Sequence, residues 1–354
     1  MKYRKMGRTG LLVSEISLGC MHFGCETKEE DAKKIILRSR ELGINHFDTA
    51  RSYPTGLSVR QPGLAEEILA RTIKPFRKDI LITTKVGAIK DIQQKQGLSR
   101  WNIMAELEAS LTSLQTDYVD ILLAHMPDAQ TPSDETLRAF DDIVRSGKAR
   151  YIGCSNYHPW KLCKSLWMSE KHNLARFDCI QFRYNIISRM ADFDTIPFCA
   201  QEGLGLFAYN PLAGGLLAGA LYEPGGKVIA TYEKGSERPK AGRFTQDTYF
   251  KRYWNDRNLE GAKQLKNLAA KYGHAPTDVA IAWILSNKKI TSVLSLVDFP
   301  DQMSQNAAAT ELTLSGEELA GCNKIYESMT SAEWLAQEVG ESRFPGFGKD
   351  EFAY

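Results

Sequence analysis

Short apolar segments recur along the chain at intervals that leave room for one helix between neighbouring segments. Most of them are apolar throughout and do not alternate with polar residues, which is the pattern of strands buried on both faces of a parallel sheet. The intervening segments place apolar residues at helical spacing, as Ile103, Leu107 and Leu111 do in "WNIMAELEASLTSL". The eight strand-like segments cover residues 16–24, 44–50, 80–87, 118–125, 149–157, 177–185, 204–211 and 290–298.

Eight strands that alternate with helices, with no linker-like stretch between them, predict an α/β fold of the (β/α)8 TIM-barrel type. The competing doubly wound fold would place G-x-G-x-x-G after the first strand, and that motif is absent there. The preceding segment, "KYRKMGRTGLLVSE", predicts a hairpin that turns at Gly7–Gly10 and closes the barrel bottom. We expect the barrel and hairpin to span residues 1–320, and a C-terminal helix and aromatic tail to pack on the barrel over 321–354.

Two local features follow from composition. Ser133 precedes acidic residues in a segment that ends at Gly147, which predicts Ser133 as a helix N-cap. Residues 224–244 are polar and rich in Gly and Pro, which predicts a mobile loop after the seventh strand.

Charge and cysteine content narrow the class of protein. The 354-residue chain has a net charge of +2, so nothing favours nucleic acid or a membrane surface as partner. No apolar run approaches the ~20 residues that span a bilayer, and the N-terminus lacks a signal-like apolar region. The seven cysteines have no metal-ligand spacing. We therefore expect a cytoplasmic protein that binds no metal.

Polar residues end most of the strand-like segments, and the C-terminal ends of the strands are where such barrels carry their chemistry. Taken alone, each of these residues is explained equally well by a structural role. This holds above all for His125 in "DILLAHMPD". Seven of them at one face indicate a site. After the first of them, "TARSY" brings Tyr53 back over the same mouth. The seven are Asp48, Lys85, His125, Asn156, Gln181, Tyr209 and Asp298.

Tyrosine, lysine, carboxylate and histidine around one pocket indicate proton transfer at a carbonyl or an alcohol. A free tyrosine, with a pKa near 10, is a poor acid–base catalyst at neutral pH, and a neighbouring ammonium favours its phenolate. Asp48 would hold Lys85 charged and in place. His125 would then either orient the carbonyl or help to move the proton.

These residues resemble the aldo-keto reductases over roughly residues 1–320. The matching motifs, in order, are "LGCMHFG", "NHFDTARSY", "ITTKVG", "DILLAH", "IGCSN", "QFRYN", "AYNPLAGGLLAG" and "SQNAAA". The resemblance implies a (β/α)8 barrel that binds a nicotinamide dinucleotide across its mouth. It also implies that this dinucleotide is NADP(H). It also implies a catalytic tetrad of Asp48, Tyr53, Lys85 and His125, with Tyr53 protonating the alkoxide formed by hydride transfer.

The same resemblance implies the cofactor contacts. Ser155, Asn156 and Gln181 match positions that bind the carboxamide, and Tyr209 matches the aromatic that stacks on the nicotinamide. The competing explanations are strand-end capping for Ser155 and Asn156 and core packing for Tyr209. The remaining positions match the pyrophosphate loop (Leu212, Gly214, Leu216), a phosphate clamp that could equally be a solvated arginine (Arg243), and the adenine end (Gln302, Asn306).

The chain departs from the family pattern at three points. In "LSLVDFPDQ", Ser295 and Leu296 replace the usual Pro-Gly pair, and Asp298 stands near the expected cation. A carboxylate there would repel a 2′-phosphate and accept hydrogen bonds from a ribose diol, which predicts weaker NADPH preference and use of NAD(H). The loop after Tyr53 is longer than usual, and Met126 follows His125 where arginine is common. With the aromatic tail, the longer loop either shapes the substrate pocket or is a tolerated insertion.

Three functions remain open from the sequence. The first is an NAD(P)-dependent oxidoreductase that interconverts a carbonyl and an alcohol, with Tyr53 as acid and base. The second is a redox-neutral epimerase or eliminase of a sugar-like substrate with a retained cofactor. The third is a cofactor-sensing, non-catalytic protein like the family's channel-associated β subunits. The partner expected for the first two is a small carbonyl or sugar-like molecule, and the sequence does not fix the oligomeric state.

Overall fold

The strands that correspond to the continuous apolar runs are short and largely buried. The computed structural model describes residues 1–55, 61–89, 97–222, 228–232, 235, 237–240 and 242–330. The long loop after Tyr53 and the aromatic tail fall partly or wholly on residues 56–60 and 331–354, outside the described residues. In chain order the strands are β1 Tyr3–Lys5, β2 Leu12–Ser14, β3 Ile16–Gly19, β4 His46–Asp48, β5 Leu81–Val86, β6 Val119–Ala124, β7 Ala149–Ser155, β8 Cys179–Arg183, β9 Gly205–Tyr209, β10 Ala220–Tyr222, β11 Val228–Thr231 and β12 Ser292–Ser295.

Eight of these strands form a closed parallel barrel in the order β12-β3-β4-β5-β6-β7-β8-β9, which confirms the predicted (β/α)8 fold. Register places Asp48 opposite Thr83 and Lys85 opposite Leu123. Farther round the barrel, Ser155 is opposite Gln181. The polar ends of neighbouring strands therefore meet at one rim of the barrel.

Helices follow the barrel strands. Proline occupies the start of α5 and α9, where its missing N–H costs no hydrogen bond. Among the described residues, every helix is too short or too polar to cross a bilayer. The helices are α1 Glu29–Glu41, α2 Leu64–Ile73, α3 Arg100–Leu114, α4 Ser133–Arg145, α5 Pro159–His172, α6 Thr195–Gln201, α7 Asp247–Tyr253, α8 Asp256–Lys271, α9 Pro276–Ser286, α10 Pro300–Ala308 and α11 Gly316–Met329.

The N-terminal hairpin closes one end of the barrel. Strands β1 and β2 pair antiparallel, as predicted. Met6 and Val13 are fully buried in a cluster with barrel residues that include Ile121 and Phe207. Gly7 adopts φ +55°, and a Cβ on it would come within 2.2 Å of the Gly203 carbonyl oxygen, so only glycine lets the turn approach this closely.

The chain divides into two compact units. The first comprises Met1–Phe182, Ala191–Tyr209 and Lys288–Ala307, and it contains the barrel and the hairpin. The second comprises Arg183–Met190, Asn210–Asn287 and the described residues from Ala308. In the second unit α8 packs against α11, and β10 pairs antiparallel with β11.

Two local predictions were wrong. Ser133 is the first residue of α4 and not its N-cap, because the extended Pro132 supplies the carbonyl to which the first helical N–H groups donate. Residues 228–231, predicted within a mobile loop, form β11, because the short run Val-Ile-Ala-Thr favours an extended strand over a loop. The end of α4 before Gly147, whose φ is +76°, agrees with the sequence.

Candidate active site

A buried ion pair between two neighbouring strands forms the centre of the site. Lys85, on β5, is fully buried, and its Nζ donates hydrogen bonds to Asp48 Oδ1 at 2.5 Å and to the Thr49 carbonyl oxygen at 2.8 Å. Asp48 ends β4, and its Oδ2 accepts a 2.7 Å hydrogen bond from Gln181 Nε2 on β8. The carboxylate is thus held from two sides, and it fixes the ammonium.

Tyr53 lies over this ion pair. The loop after β4 carries it back, with the Tyr53 N–H donating to the Ala50 carbonyl oxygen at 3.0 Å. Its hydroxyl is 3.5 Å from Lys85 Nζ, and the same Nζ is 4.8 Å from the centre of the ring. Only 8% of Tyr53 is exposed. The phenol oxygen is therefore next to a cation, on a side chain that is almost completely buried.

His125 packs edge-on against Tyr53, with 5.6 Å between ring centroids. The backbone N–H of His125 extends the pairing with β5 by donating to the Val86 carbonyl oxygen at 2.9 Å. Burial, reinforced by the nearby Lys85 charge, lowers the pKa of His125 from its usual 6.5 to about 3. The imidazole is neutral at physiological pH, and Ser52 Oγ is 3.4 Å from its Nδ1.

Burial and charge act in opposite directions on Asp48. Desolvation raises the pKa of the Asp48 carboxyl, while the Lys85 ammonium and the hydrogen bonds from Lys85 and Gln181 lower it. A buried carboxylate without such partners would be costly. Both partners are therefore part of what keeps an ionised pair inside the barrel.

Three of the residues predicted to hold the nicotinamide form one hydrogen-bonded group. Asn156 follows β7 with φ +63° and accepts a 2.8 Å hydrogen bond from the Tyr209 hydroxyl at the end of β9. Asn156 Nδ2 donates to Ser155 Oγ at 2.9 Å and to the His125 carbonyl oxygen at 3.2 Å. Gln181, the fourth, contacts Asp48 instead. Ser155 and Gln181 are buried, and Tyr209 is partly exposed and packs against the core cluster that contains Phe207 and Leu294.

Asp298 lies between β12 and α10, with 41% of its side chain exposed. Its Oδ1 is 3.2 Å from His22 Nδ1 and accepts a 3.2 Å hydrogen bond from Thr27 Oγ1, both on the loop after β3. Gln302 Oε1 accepts from the N–H groups of Asp298 and Phe299. The carboxylate is therefore anchored by the protein while part of it faces solvent.

The other residue predicted at the adenine end, Asn306, is hydrogen-bonded to another residue of the protein. Asn306 is buried, and its Nδ2 donates to Ser295 Oγ at 2.8 Å. Leu296 stands beside Gly19, where an added Cβ would lie 3.4 Å from the Leu296 Cβ. The Ser-Leu pair that replaces Pro-Gly is thus packed against the end of β3.

The residues predicted at the pyrophosphate belong to the second unit, where Tyr249 connects them. The 3-10 turn Ala213–Ala218 begins after Leu212 and contains the fully buried Leu216. Gly214 has φ +72°, and a Cβ there would lie 2.9 Å from Tyr249. Arg243 Nη1 donates to the Tyr249 hydroxyl at 2.6 Å. The predicted clamp and the predicted loop are therefore close together within this unit.

Sequence reasoning missed several residues that hold the site. Ser52 and the Thr49 carbonyl were overlooked, although both lie within the quoted "DTARSY". The pairing of Arg51 with the buried Glu66, at 3.3 Å, was also missed. The available signal was the pair Glu66 and Glu67 in the otherwise apolar helical segment "LAEEILA" directly after the long loop.

Comparison with known proteins gives the family. The family model described as "Aldo/keto reductase family" matches residues 15–327. The chain belongs to the aldo/keto reductase family. It is 33% identical over 334 residues to the "Uncharacterized oxidoreductase YrpG" of Bacillus subtilis (strain 168), covering 92% of this chain and 96% of that protein.

Two other relatives carry more specific names. The chain is 31% identical over 331 residues to "L-glyceraldehyde 3-phosphate reductase" of Escherichia coli (strain K12), covering 90% of this chain and 91% of that protein. It is 31% identical over 320 residues to "Probable voltage-gated potassium channel subunit beta" of Oryza sativa subsp. japonica, covering 88% and 92%. Aldo/keto reductases are oxidoreductases that act on small carbonyl substrates and generally use NAD(P)H.

Proposed function

We propose that this chain reduces a small carbonyl substrate to an alcohol with NAD(P)H, with Tyr53 as the general acid, and that it catalyses the reverse oxidation with Tyr53 as the base. The observation that carries the proposal is the contact of the Tyr53 hydroxyl with Lys85 Nζ at 3.5 Å, where Lys85 is itself paired with Asp48. An ammonium beside a phenol favours the phenolate, and so makes release of the phenol proton easier near neutral pH.

Each neighbour of Tyr53 has one task in this proposal. Asp48 and Gln181 hold the Lys85 ammonium in place, and Lys85 stabilises the phenolate left when the Tyr53 hydroxyl gives its proton to the substrate oxygen. His125 stays neutral, in accordance with its low pKa, and orients the carbonyl oxygen by a hydrogen bond. If Ser52 donates to Nδ1, the ring proton stands on Nε2 and is available for that bond.

The residues at the ends of β7 and β9 fit a nicotinamide. Ser155 Oγ accepts from Asn156 and still has its own proton to donate, and the Tyr209 ring is fixed by its hydroxyl with accessible surface remaining. Ser155, Asn156 and Gln181 would hold the carboxamide, and Tyr209 would stack on the ring. The nucleotide, when bound, supplies or accepts the hydride.

The phosphate and adenosine contacts are proposed separately for each unit. In the second unit, Leu212, Gly214, Leu216 and Arg243 would approach the pyrophosphate. In the first, Gln302 and Asn306 would shape the adenine site, and the exposed part of Asp298 would face the ribose. NADP(H) is proposed from the family, and NAD(H) from the charge of Asp298.

The substrate proposed is a short aldehyde or a sugar-like carbonyl compound. One relative is named an L-glyceraldehyde 3-phosphate reductase, which makes small hydroxyaldehydes and their phosphates the first compounds to test. A cytoplasmic location remains a prediction from the cysteine content.

The experiment that tests the cofactor is a titration of nucleotide-free protein with NADPH and, separately, NADH, followed by tryptophan fluorescence. We expect saturable quenching with at least one nucleotide, and then its oxidation when an accepted aldehyde is added. Protein that binds neither nucleotide would contradict the proposal.

The second candidate is a cofactor-binding subunit of a channel, favoured by the relatives named as potassium channel β subunits. It predicts nucleotide binding without turnover on any aldehyde of the panel, together with a stable complex with a channel's cytoplasmic domain. Steady turnover of a small aldehyde would favour the first candidate.

A further inference from the structure

Arg51 connects the Tyr53 loop to two helices outside the barrel. It lies two residues before Tyr53, and its N–H donates to the Lys85 carbonyl oxygen at 3.0 Å. Its Nη1 is 3.3 Å from Glu66 Oε2 on α2 and 3.1 Å from Ser113 Oγ on α3. The guanidinium therefore ties the loop that carries the phenol to fixed points on both helices.

Gly63 shapes the space that Arg51 occupies. It has φ +90°, and a Cβ on it would come 1.9 Å from Arg51 Nη1, so the guanidinium packs directly on the glycine. The Gly63 N–H donates to the Tyr53 carbonyl oxygen at 3.0 Å. The start of α2 thus holds Tyr53 through its own backbone and through Arg51.

Glu66 extends the connection to the strand that carries Lys85. It is fully buried, and its Oε1 accepts a 2.6 Å hydrogen bond from Thr84 Oγ1. Because side chains alternate along a strand, Thr84 faces the helices while its neighbour Lys85 faces the interior. Glu66 therefore binds both the residue next to Lys85 and the arginine near Tyr53.

We infer that Arg51 and Glu66 are positioning residues, which set the separation of the Tyr53 hydroxyl and Lys85 Nζ from outside the barrel. The inference rests on the proposed role of Tyr53. Neither side chain touches the reacting atoms. Both act by fixing the loop and the strand on which the reacting groups stand. Gly63 supports the arrangement in two ways, by its positive φ and by leaving room for the guanidinium.

The test compares variants that release this connection with one that breaks an ion pair of similar burial elsewhere. Arg51→Met removes the tie and Arg51→Lys keeps its charge. Gly63→Ala displaces the guanidinium without deleting it and also strains the backbone at φ +90°, so Arg51→Met is the more specific of the two. The control is Arg77→Met, because Arg77 Nη2 is 3.0 Å from the buried Asp120 near the opposite end of β6, and Asp120 keeps a second cation, Arg150 Nη1, at 3.0 Å.

Two measurements read the position of Tyr53. The first is the titration midpoint of its phenol by NMR of ¹³Cζ-labelled tyrosine, with the resonance assigned by its absence in Tyr53→Phe. The second measurement compares the effect of each variant on kcat with its effect on KM for the nucleotide. An increase of ~1 Å in the separation of hydroxyl and ammonium raises the midpoint by ~0.5 to 1 pH unit. It lowers kcat by ~10- to 100-fold, while KM for the nucleotide stays within about twofold.

We expect Arg51→Met and Gly63→Ala to show both changes, Arg51→Lys to show smaller ones, and Arg77→Met to lose stability only. The inference is overturned if the first two leave the midpoint in place, or if Arg77→Met moves it equally. If Arg51→Met does not fold, the double variant Arg51→Met/Glu66→Gln is measured in its place. It removes both charges and so leaves no unpaired carboxylate in the interior.

The midpoint is read without turnover, which separates this inference from the proposed function. If Tyr53→Phe keeps full activity, the proposed role of Tyr53 fails, and the midpoints still decide whether Arg51 positions the phenol. If Tyr53→Phe is inactive and the midpoints do not move, the positioning role alone fails.

Discussion

Replacing His125 with glutamine should change how the stability of the protein depends on pH. Burial lowers the pKa of His125 from 6.5 to about 3. Between these values the unfolded chain binds a proton that the folded protein does not, so this histidine lowers stability as pH falls below 6.5. At pH 5, 1.5 units below the unfolded value, the loss is about 2 kcal/mol relative to neutral pH, since one unit corresponds to 1.36 kcal/mol. Glutamine does not titrate and is free of this loss.

The assay is urea unfolding of wild type and His125→Gln at pH 7 and pH 5. The difference in unfolding free energy between the two proteins should shift by about 2 kcal/mol in favour of the variant on going to pH 5. The comparison cancels the other titrating groups, including Asp48, which both proteins share. The same pH dependence is expected from His46, because burial also lowers the pKa of this histidine to about 3. A shift below about 0.5 kcal/mol for His125 would refute the argument that this imidazole is held neutral.

Three further predictions concern the core of the site, the cofactor and the barrel packing. Lys85→Met should cost about 3–5 kcal/mol of unfolding free energy by leaving Asp48 buried without a cation, and adding Asp48→Asn should recover much of it; a loss under 1 kcal/mol in urea unfolding would speak against a buried ion pair. Asp298→Arg should raise affinity for NADPH relative to NADH in fluorescence titrations, and an unchanged ratio would exclude the proposed role of this carboxylate. Gly153→Ala should lower stability by about 1–3 kcal/mol without loss of kcat in the folded protein, because the added Cβ would lie 2.5 Å from the Cys179 carbonyl oxygen. An unchanged midpoint of thermal unfolding would contradict this prediction.

The barrel and the centre of the site could be predicted because each leaves a local pattern in the sequence. Buried parallel strands produce continuous apolar runs, and parallel register brings their polar last residues to one rim. Asp48 and Lys85 are thus placed at the same rim, on two neighbouring strands, without any knowledge of side-chain contacts.

The supporting contacts could not be predicted, because they join residues far apart in sequence that no periodicity relates. Asp298 Oδ1 lies 3.2 Å from His22 Nδ1, across 276 positions. The Arg51 tie depends on the positive φ of Gly63, which the sequence shows only as one glycine among 27. The low pKa of His125 depends on how deeply the barrel buries it, which an apolar run suggests without fixing.

The proposed role of Tyr53 as general acid is best tested by the turnover of Tyr53→Phe with an accepted aldehyde at saturating nucleotide. Tyr118→Phe is a matched control, because the Tyr118 ring stacks with Arg77 and Arg150 before the start of β6. If Tyr53 is the acid, Tyr53→Phe binds nucleotide as wild type does and loses kcat by at least ~100-fold, while the control keeps it. Wild-type kcat in Tyr53→Phe would exclude this role and leave the Lys85–Asp48 pair without its proposed partner.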